Sequence, residues 1–158
     1  MLQKYLQRIL ERLVRRSSQM FHDHDHLYLN GYVGEFPDLT IYVDVRRVFV
    51  ESSVIGGGGR HKIPDWIETL SIERSHVSEL PLLPDGLRRL YISHTDIKKL
   101  PDRLPPKLRE LILADNPGIR ELPATLPPNL ENLSVVECSV REIPPLPKSV
   151  NILRIRGT

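Results

Sequence analysis

One unit of a repeated pattern occupies residues 122–135, with the sequence Leu122-Pro-Ala-Thr-Leu-Pro-Pro-Asn-Leu-Glu-Asn-Leu-Ser-Val135. It ends in three aliphatic residues with the spacing apolar-x-x-apolar-x-apolar, namely Leu130, Leu133 and Val135. Alternation of apolar and polar residues is typical of a short strand with one buried face. The Leu-Pro and Pro-Pro steps disfavour a helix, because proline lacks an amide proton and restricts the residue before it. The unit therefore predicts one strand and one extended return segment.

The same spacing recurs along the chain, as expected of a solenoid. Triplets begin at Ile67, Leu87, Leu108, Leu130 and Val150, so their starts are 20, 21, 22 and 20 residues apart. Another triplet, which begins at Val45, fits the same frame 22 residues before the first. A unit of this length has room for one strand and one return segment, so we expect successive strands to stack in parallel.

The predicted architecture is a solenoid of five repeats and a partial sixth over residues 45–158. Its strands would form a parallel β-sheet on a concave face, and its proline-rich return segments an extended convex side. A small residue follows each triplet by three positions and is predicted to hydrogen-bond buried backbone at the turn. These structural ladder residues are Ser53, Ser75, Thr95, Asn116 and Cys138. Cys138 is the one cysteine, and we interpret it as part of this ladder rather than as a nucleophile.

The repeats resemble leucine-rich repeats, whose pattern is L-x-x-L-x-L-x-x-N/C-x-L. The short unit with a Leu-Pro step is similar to the bacterial subtype of IpaH- and YopM-like secreted effectors, and residues 122–135 are the most similar stretch. The resemblance implies the fold of residues 45–158. Two features depart from the pattern: asparagine occurs in the ladder only at Asn116, and the first unit contains the glycine insertion 56–59. The IpaH-type catalytic domain is missing, so the resemblance implies no ubiquitin-ligase activity.

Residues 1–20 are predicted to form an amphipathic helix. Leu2, Leu6, Ile9 and Leu13 recur at helical spacing. Five basic residues and one acidic residue give this segment a charge of +4. We interpret the helix as a cap over the first strand, which makes the predicted fold class α/β. The alternatives are a membrane-surface helix and a mitochondrial presequence.

Residues 21–44 are predicted to be a linker with one or two degenerate first strands. The linker begins with alternating histidine and aspartate. If this stretch were a strand, His22, His24 and His26 would lie on one face. Because imidazoles and carboxylates bind zinc, a metal site here is one hypothesis, and a hydrated linker is the other. We expect no cofactor elsewhere.

Composition excludes several classes of protein. The chain has 158 residues, enough for one domain, and its 22 basic and 20 acidic residues give a net charge of +2. A nucleic-acid-binding domain is usually strongly basic, so we expect no specific nucleic-acid partner. No apolar run approaches the roughly 20 residues of a membrane span, so a soluble chain is expected. The predicted location is the cytoplasm, which for a secreted effector is the host cytoplasm, or the mitochondrion if the first helix is a targeting segment.

The sequence lacks the motifs of common enzymes. The glycine insertion is not followed by the Lys-Ser/Thr of a phosphate-binding loop, and no nucleophile motif occurs. The chain is therefore predicted to be non-enzymatic.

Outward positions of the predicted strands form an apolar patch of Tyr91, Ile112, Ala114 and Val136. An apolar patch with a polar rim is typical of a protein interface, although Ile112 and Val136 could simply favour strand formation. The predicted partner-binding residues are Phe49, Arg89, Tyr91, Arg109, Ile112, Ala114, Asp115, Val136 and Arg154. We therefore predict a module that binds another protein through the concave sheet.

An alternative function uses the two ends of the chain. The triplet at Val150 is followed by only a few residues, which would leave a strand edge open. A structural subunit would bury this edge and the basic N-terminal helix in an oligomer or a larger assembly.

Overall fold

A computed structural model describes residues 20–56 and 62–157 of the chain. These residues form ten strands and, within the two described ranges, no helix, so none that could cross a membrane. The strands are β1 (Met20–Asp23), β2 (His26–Asn30), β3 (Val33–Gly34), β4 (Arg47–Glu51), β5 (Val54–Ile55), β6 (Thr69–Val77), β7 (Arg89–Thr95), β8 (Glu110–Asn116), β9 (Asn132–Cys138) and β10 (Ile152–Arg156).

The strands form a mostly parallel β-solenoid, as the repeat predicts. The main sheet has the order β1-β2-β4-β6-β7-β8-β9-β10, in which only the β1–β2 pair is antiparallel. The short strands β3 and β5 pair in parallel with each other, and β5 also pairs with the end of β6. In the main sheet, Tyr91 on β7 lies beside Ser71 on β6 and Ile112 on β8. The register therefore joins residues one repeat apart.

Columns of aliphatic side chains fill the interior of the solenoid. The first inward positions of six successive parallel strands are each 0% exposed, and they hold Leu27, Val48, Leu70, Leu90, Leu111 and Leu133. The second inward positions are similarly buried, from Leu29 to Val135. Burial of such a side chain contributes roughly 1.5–3 kcal/mol, so stacked columns are the main source of stability in the fold.

Each return segment ends in a β-turn whose first residue is a proline in five of the repeats. The amide of the third following residue donates a hydrogen bond of 3.0–3.1 Å to the proline carbonyl at Pro64, Pro84, Pro105, Pro127 and Pro147. Proline fits this position because the turn uses its carbonyl group and not the amide proton it lacks. The turn delivers the chain to the first aliphatic residue of the next triplet.

The N-terminal part differs from the sequence-based prediction. Residues 1–19 of the predicted helical cap lie outside the described residues, whereas Met20 begins β1. All elements of the described part are strands or irregular, so the α/β class has no support there. Within residues 21–44, for which one or two degenerate first strands were predicted beside a linker, β2 pairs in parallel register with β4. Leu27 and Leu29 take the inward positions that Val48 and Val50 take one turn later, and this similarity makes β2 the first parallel strand.

The five ladder residues lie in a row at the ends of the strands, and each is 9% exposed or less. Asn116 makes the most contacts. Its Nδ2 donates to the carbonyls of Ile92 (2.9 Å) and Ala114 (2.7 Å), and its Oδ1 accepts from the amide (3.0 Å) and hydroxyl (2.8 Å) of Thr95. One side chain thus satisfies polar groups of two turns.

The other ladder residues make similar but fewer hydrogen bonds. The Ser53 amide donates to Ser75 Oγ at 3.1 Å, and Ser75 Oγ donates to the carbonyl of Glu73 at 2.7 Å. The thiol of Cys138 donates to the carbonyl of Val136 at 3.5 Å. Burial raises the pKa of the Cys138 thiol, which favours the protonated form over the nucleophilic thiolate.

The residue before each ladder residue adopts a left-handed backbone conformation, and Gly31 and Gly157 do so at the equivalent points after β2 and β10. The φ angles lie between 45° and 64° at Gly31, Ser52, Arg74, His94, Asp115, Glu137 and Gly157. For L-residues this conformation costs about 1–2 kcal/mol, so five of these seven turns are strained. The strain persists because the strand before and the ladder residue after are both held by hydrogen bonds to neighbouring turns.

We expect two substitutions at this position to have opposite effects. Gly31→Ala should lower the free energy of unfolding by about 1 kcal/mol, because a φ of +64° is unfavourable for alanine. The loss should be no larger, since no atom lies close enough to clash with the added Cβ. Ser52→Gly should raise it by about 0.5 kcal/mol, because relief of strain exceeds the entropy cost of glycine. Urea unfolding of both variants measures the difference, and effects of the same sign would contradict the explanation.

Asn116→Ala should lower the free energy of unfolding by about 3 kcal/mol, because four buried backbone and hydroxyl groups lose their partner. Asn129→Ala is the matched control. That exposed asparagine makes one hydrogen bond of 3.3 Å, and its loss should change stability by less than about 0.5 kcal/mol. Equal losses in the two variants, measured by urea unfolding, would show that the ladder is not a main stabilising element.

Candidate binding face

The side of the main sheet opposite the aliphatic core, here named the open face, holds three columns of outward positions. The middle column consists of Tyr28, Phe49, Ser71, Tyr91, Ile112, Ser134 and Arg154. The serines are almost fully buried, with Ser71 4% and Ser134 5% exposed, while the larger members of the column are half-buried or exposed. The short side chain of Ser71 therefore separates Tyr28 and Phe49 from Tyr91 and Ile112, and that of Ser134 separates this second pair from Arg154.

The predicted apolar patch is a contiguous group of side chains on β7, β8 and β9. Tyr91 lies beside Ile112 in the register, and Ala114 lies beside Val136. All four are partly exposed on neighbouring strands of one sheet. Because each strand is hydrogen-bonded on both sides, these side chains project from a rigid platform.

A charged triad borders this patch. Glu110 accepts a hydrogen bond of 2.6 Å from the Tyr91 hydroxyl and another of 3.1 Å from Arg89 Nε. Burial raises the pKa of Tyr91 to about 12, and the hydrogen bond to Glu110 and its negative charge act in the same direction. Glu110 was absent from the predicted site, although its column position, shared with Arg89 one repeat earlier, could have indicated the pair.

The remaining predicted rim residues lie at different distances along the sheet. Arg109 pairs with Glu131 at 3.2 Å, one position before the strand. Asp115 occupies the left-handed turn position after Ala114, where its carboxylate lies 3.7 Å from His94 Nδ1. Arg154 lies on β10, next to Ser134 and beyond the patch. Phe49 is separated from Tyr91 by Ser71, so it belongs to a different group of side chains.

That second group is the aromatic cluster, defined by Phe21, His26, Tyr28 and Phe49 on β1, β2 and β4. The Tyr28 and Phe49 rings are stacked with centroids 5.1 Å apart and planes inclined by 15°. Phe21 stacks on Tyr28 at 6.0 Å, and His26 lies 5.7 Å from Phe49. Sequence analysis did not find this cluster, because it depends on pairing of β1 with β2 and of β2 with β4.

The three histidines of the metal hypothesis are dispersed. Residues 20–30 form a hairpin, and His24 lies at its turn with a φ of 49°, so the stretch is not the single strand that the metal hypothesis requires. His22 packs edge-on against Tyr42 with centroids 5.6 Å apart, whereas His26 joins the aromatic cluster. In the part of the chain that the structure describes, no group of three or more His, Cys, Asp or Glu side chains is placed to hold a metal.

The last strand presents apolar side chains to solvent. All five residues of β10 are exposed, and Ile152, Leu153 and Ile155 are 40%, 47% and 40% exposed. Leu153 pairs with Leu133, which is 0% exposed one strand earlier. The inward columns therefore continue to β10, where no described residue covers them.

A scan against protein-family models, a search of curated proteins and a search of solved structures found no match to this chain. The leucine-rich-repeat resemblance thus depends on the repeat pattern alone.

Ionisation of Tyr91 should weaken the fold at high pH. Its folded pKa of about 12 exceeds the unfolded value near 10, so its contribution to stability is present below pH 10 and is lost as the pH rises toward 12. We expect the urea midpoint of the wild type to fall more steeply across this interval than that of Tyr91→Phe. Parallel curves for the two proteins would contradict the pKa assignment.

Proposed function

We propose that the chain is a non-enzymatic leucine-rich-repeat module that binds another protein on the open face, which corresponds to the concave sheet of such repeats. The proposal depends mainly on one observation, the partly exposed apolar patch of Tyr91, Ile112, Ala114 and Val136 on three adjacent strands. An exposed apolar patch with a polar rim is a common feature of protein-binding surfaces.

The rim supports this function by its geometry. Arg89 and Tyr91 are held by one carboxylate, that of Glu110, so their polar atoms are oriented before a partner arrives. Preorganised side chains lose less conformational freedom on binding, which increases affinity. Tyrosine and arginine are also the residues most often found to dominate binding energy in interfaces.

The fold supports the leucine-rich-repeat class by repeat length and register. Successive parallel strands join residues 20–22 positions apart, and a small hydrogen-bonding residue lies three positions after each aliphatic triplet from β4 to β9. The cytoplasmic location and the similarity to secreted effectors remain predictions from the sequence.

Substitution of Ile112 by glutamate should weaken partner binding at least about tenfold, because a charge in the centre of an apolar contact has to be desolvated. The measurement is affinity capture of partners from the native cell extract, followed by titration of the recovered partner. The variant should keep nearly the melting temperature of the wild type, because position 112 is partly exposed.

Leu82→Glu is the matched control. Leu82 is 65% exposed on a return segment, away from the open face, so this variant should retain the partner. Loss of the partner in both variants, or in neither, would contradict binding through the patch. A large drop in the melting temperature of Ile112→Glu would assign the residue to folding instead.

A second candidate function is assembly through β10. Its support is the exposure of Ile152, Leu153 and Ile155, together with the unpaired backbone of the outermost described strand. Such edges promote pairing with further strands. In the same capture experiment, recovery of the chain itself as the sole stoichiometric partner would favour this function over the first.

A further inference from the structure

The aromatic cluster is an ordered stack of rings that is open to solvent. The interplanar angles of its four stacked contacts are 12–27°, so the rings are nearly parallel. Phe21 is 60% exposed and Tyr28 is 38% exposed. Burial of large aromatic rings stabilises a protein or a complex, and two rings of this cluster remain exposed to solvent.

The charges around the cluster are predominantly negative. Four carboxylates lie around it: Asp23 on β1, Asp25 at the β1–β2 turn, Glu51 on β4 and Glu73 on β6. Two guanidinium groups lie beside them, because Arg47 pairs with Asp25 and Arg74 pairs with Glu51. Counting only arginine, aspartate and glutamate, two positive and four negative side chains give a local charge of −2. The chain as a whole has a net charge of +2, so this end of the open face is distinct.

We propose that the aromatic cluster binds the guanidinium group of an arginine in a basic, extended segment of the partner protein. The planar guanidinium stacks on aromatic faces and is attracted by their quadrupole. The carboxylates complement its charge and can accept its N–H groups. This inference rests on the proposed function, because the segment would continue along the open face toward the patch at Ile112.

Charge and shape argue against two other ligands, a nucleotide and a lysine side chain. A nucleotide could stack its base on the rings, but its phosphate would lie near four carboxylates. A lysine ammonium satisfies the charge but is compact and strongly hydrated, so it gains less from a flat ring surface. The chemistry of the cluster therefore selects arginine over both.

The test titrates the full chain with a short serine-flanked peptide that contains two arginines, and follows amide and ring chemical shifts by NMR. Matched peptides replace both arginines by lysine or by citrulline. We expect the arginine peptide to bind about fivefold more tightly than the lysine peptide, and the neutral citrulline peptide more weakly than both. Shift changes should centre on Phe21, Tyr28 and Phe49.

Three variants separate the contributions. Phe49→Leu keeps an apolar strand residue but removes a ring, and should abolish the preference for arginine over lysine. Glu73→Gln should weaken both peptides, because it removes one negative charge. Leu82→Ser, on a return segment away from the open face, should leave the affinity for the arginine peptide unchanged.

Equal affinity for the arginine and lysine peptides would overturn the inference, because charge alone would then explain binding. Tighter binding of adenosine monophosphate than of the arginine peptide would also overturn it and assign the stack to a nucleobase. Both results leave the capture experiment with Ile112→Glu unaffected. A lost partner in that experiment with no arginine preference here would refute this inference and retain the proposed function.

Discussion

Hydrogen bonds between successive turns hold the strands of this protein in a register of 20–22 residues, and the other features follow from that register. It places Leu70 on Leu90 and Leu90 on Leu111, so that the interior consists of continuous aliphatic columns. A single turn cannot bury these side chains by itself, because the turns on either side provide the surface that covers them. Stability is therefore shared along the array, and the two ends of the sheet are its most exposed parts.

The same register has a cost at the turns, where the chain leaves each strand through a left-handed residue. Glycine occupies this position at Gly31 and Gly157, whereas Arg74 and Glu137 adopt the conformation with a side chain. The ladder residues compensate because they bond the carbonyl groups that the turn leaves without strand partners. Each strained residue is thus followed directly by a residue whose hydrogen bonds offset the cost of the strain.

Stacking also aligns side chains that are distant in the sequence on one open face. Small serines at positions 71 and 134 divide this face, because they leave little surface between larger neighbours. The aromatic cluster at one end is acidic in its surroundings, and the patch around Ile112 is apolar. The open face therefore has two chemically different regions, and our proposal assigns both to one extended partner.

The amino-acid sequence alone determined the repeat length, the parallel stacking and the buried columns, because the spacing of Leu130, Leu133 and Val135 recurs along the chain and encodes a local strand. It also located the apolar patch, since outward positions follow from strand alternation. It could not reveal the β1–β2 hairpin, because the alternating residues 22–26 suit one strand as well as a turn. The Glu110 contacts and the ring stack required the tertiary structure. They depend on which residues the register places side by side, and such contacts between distant residues leave no local pattern in the chain.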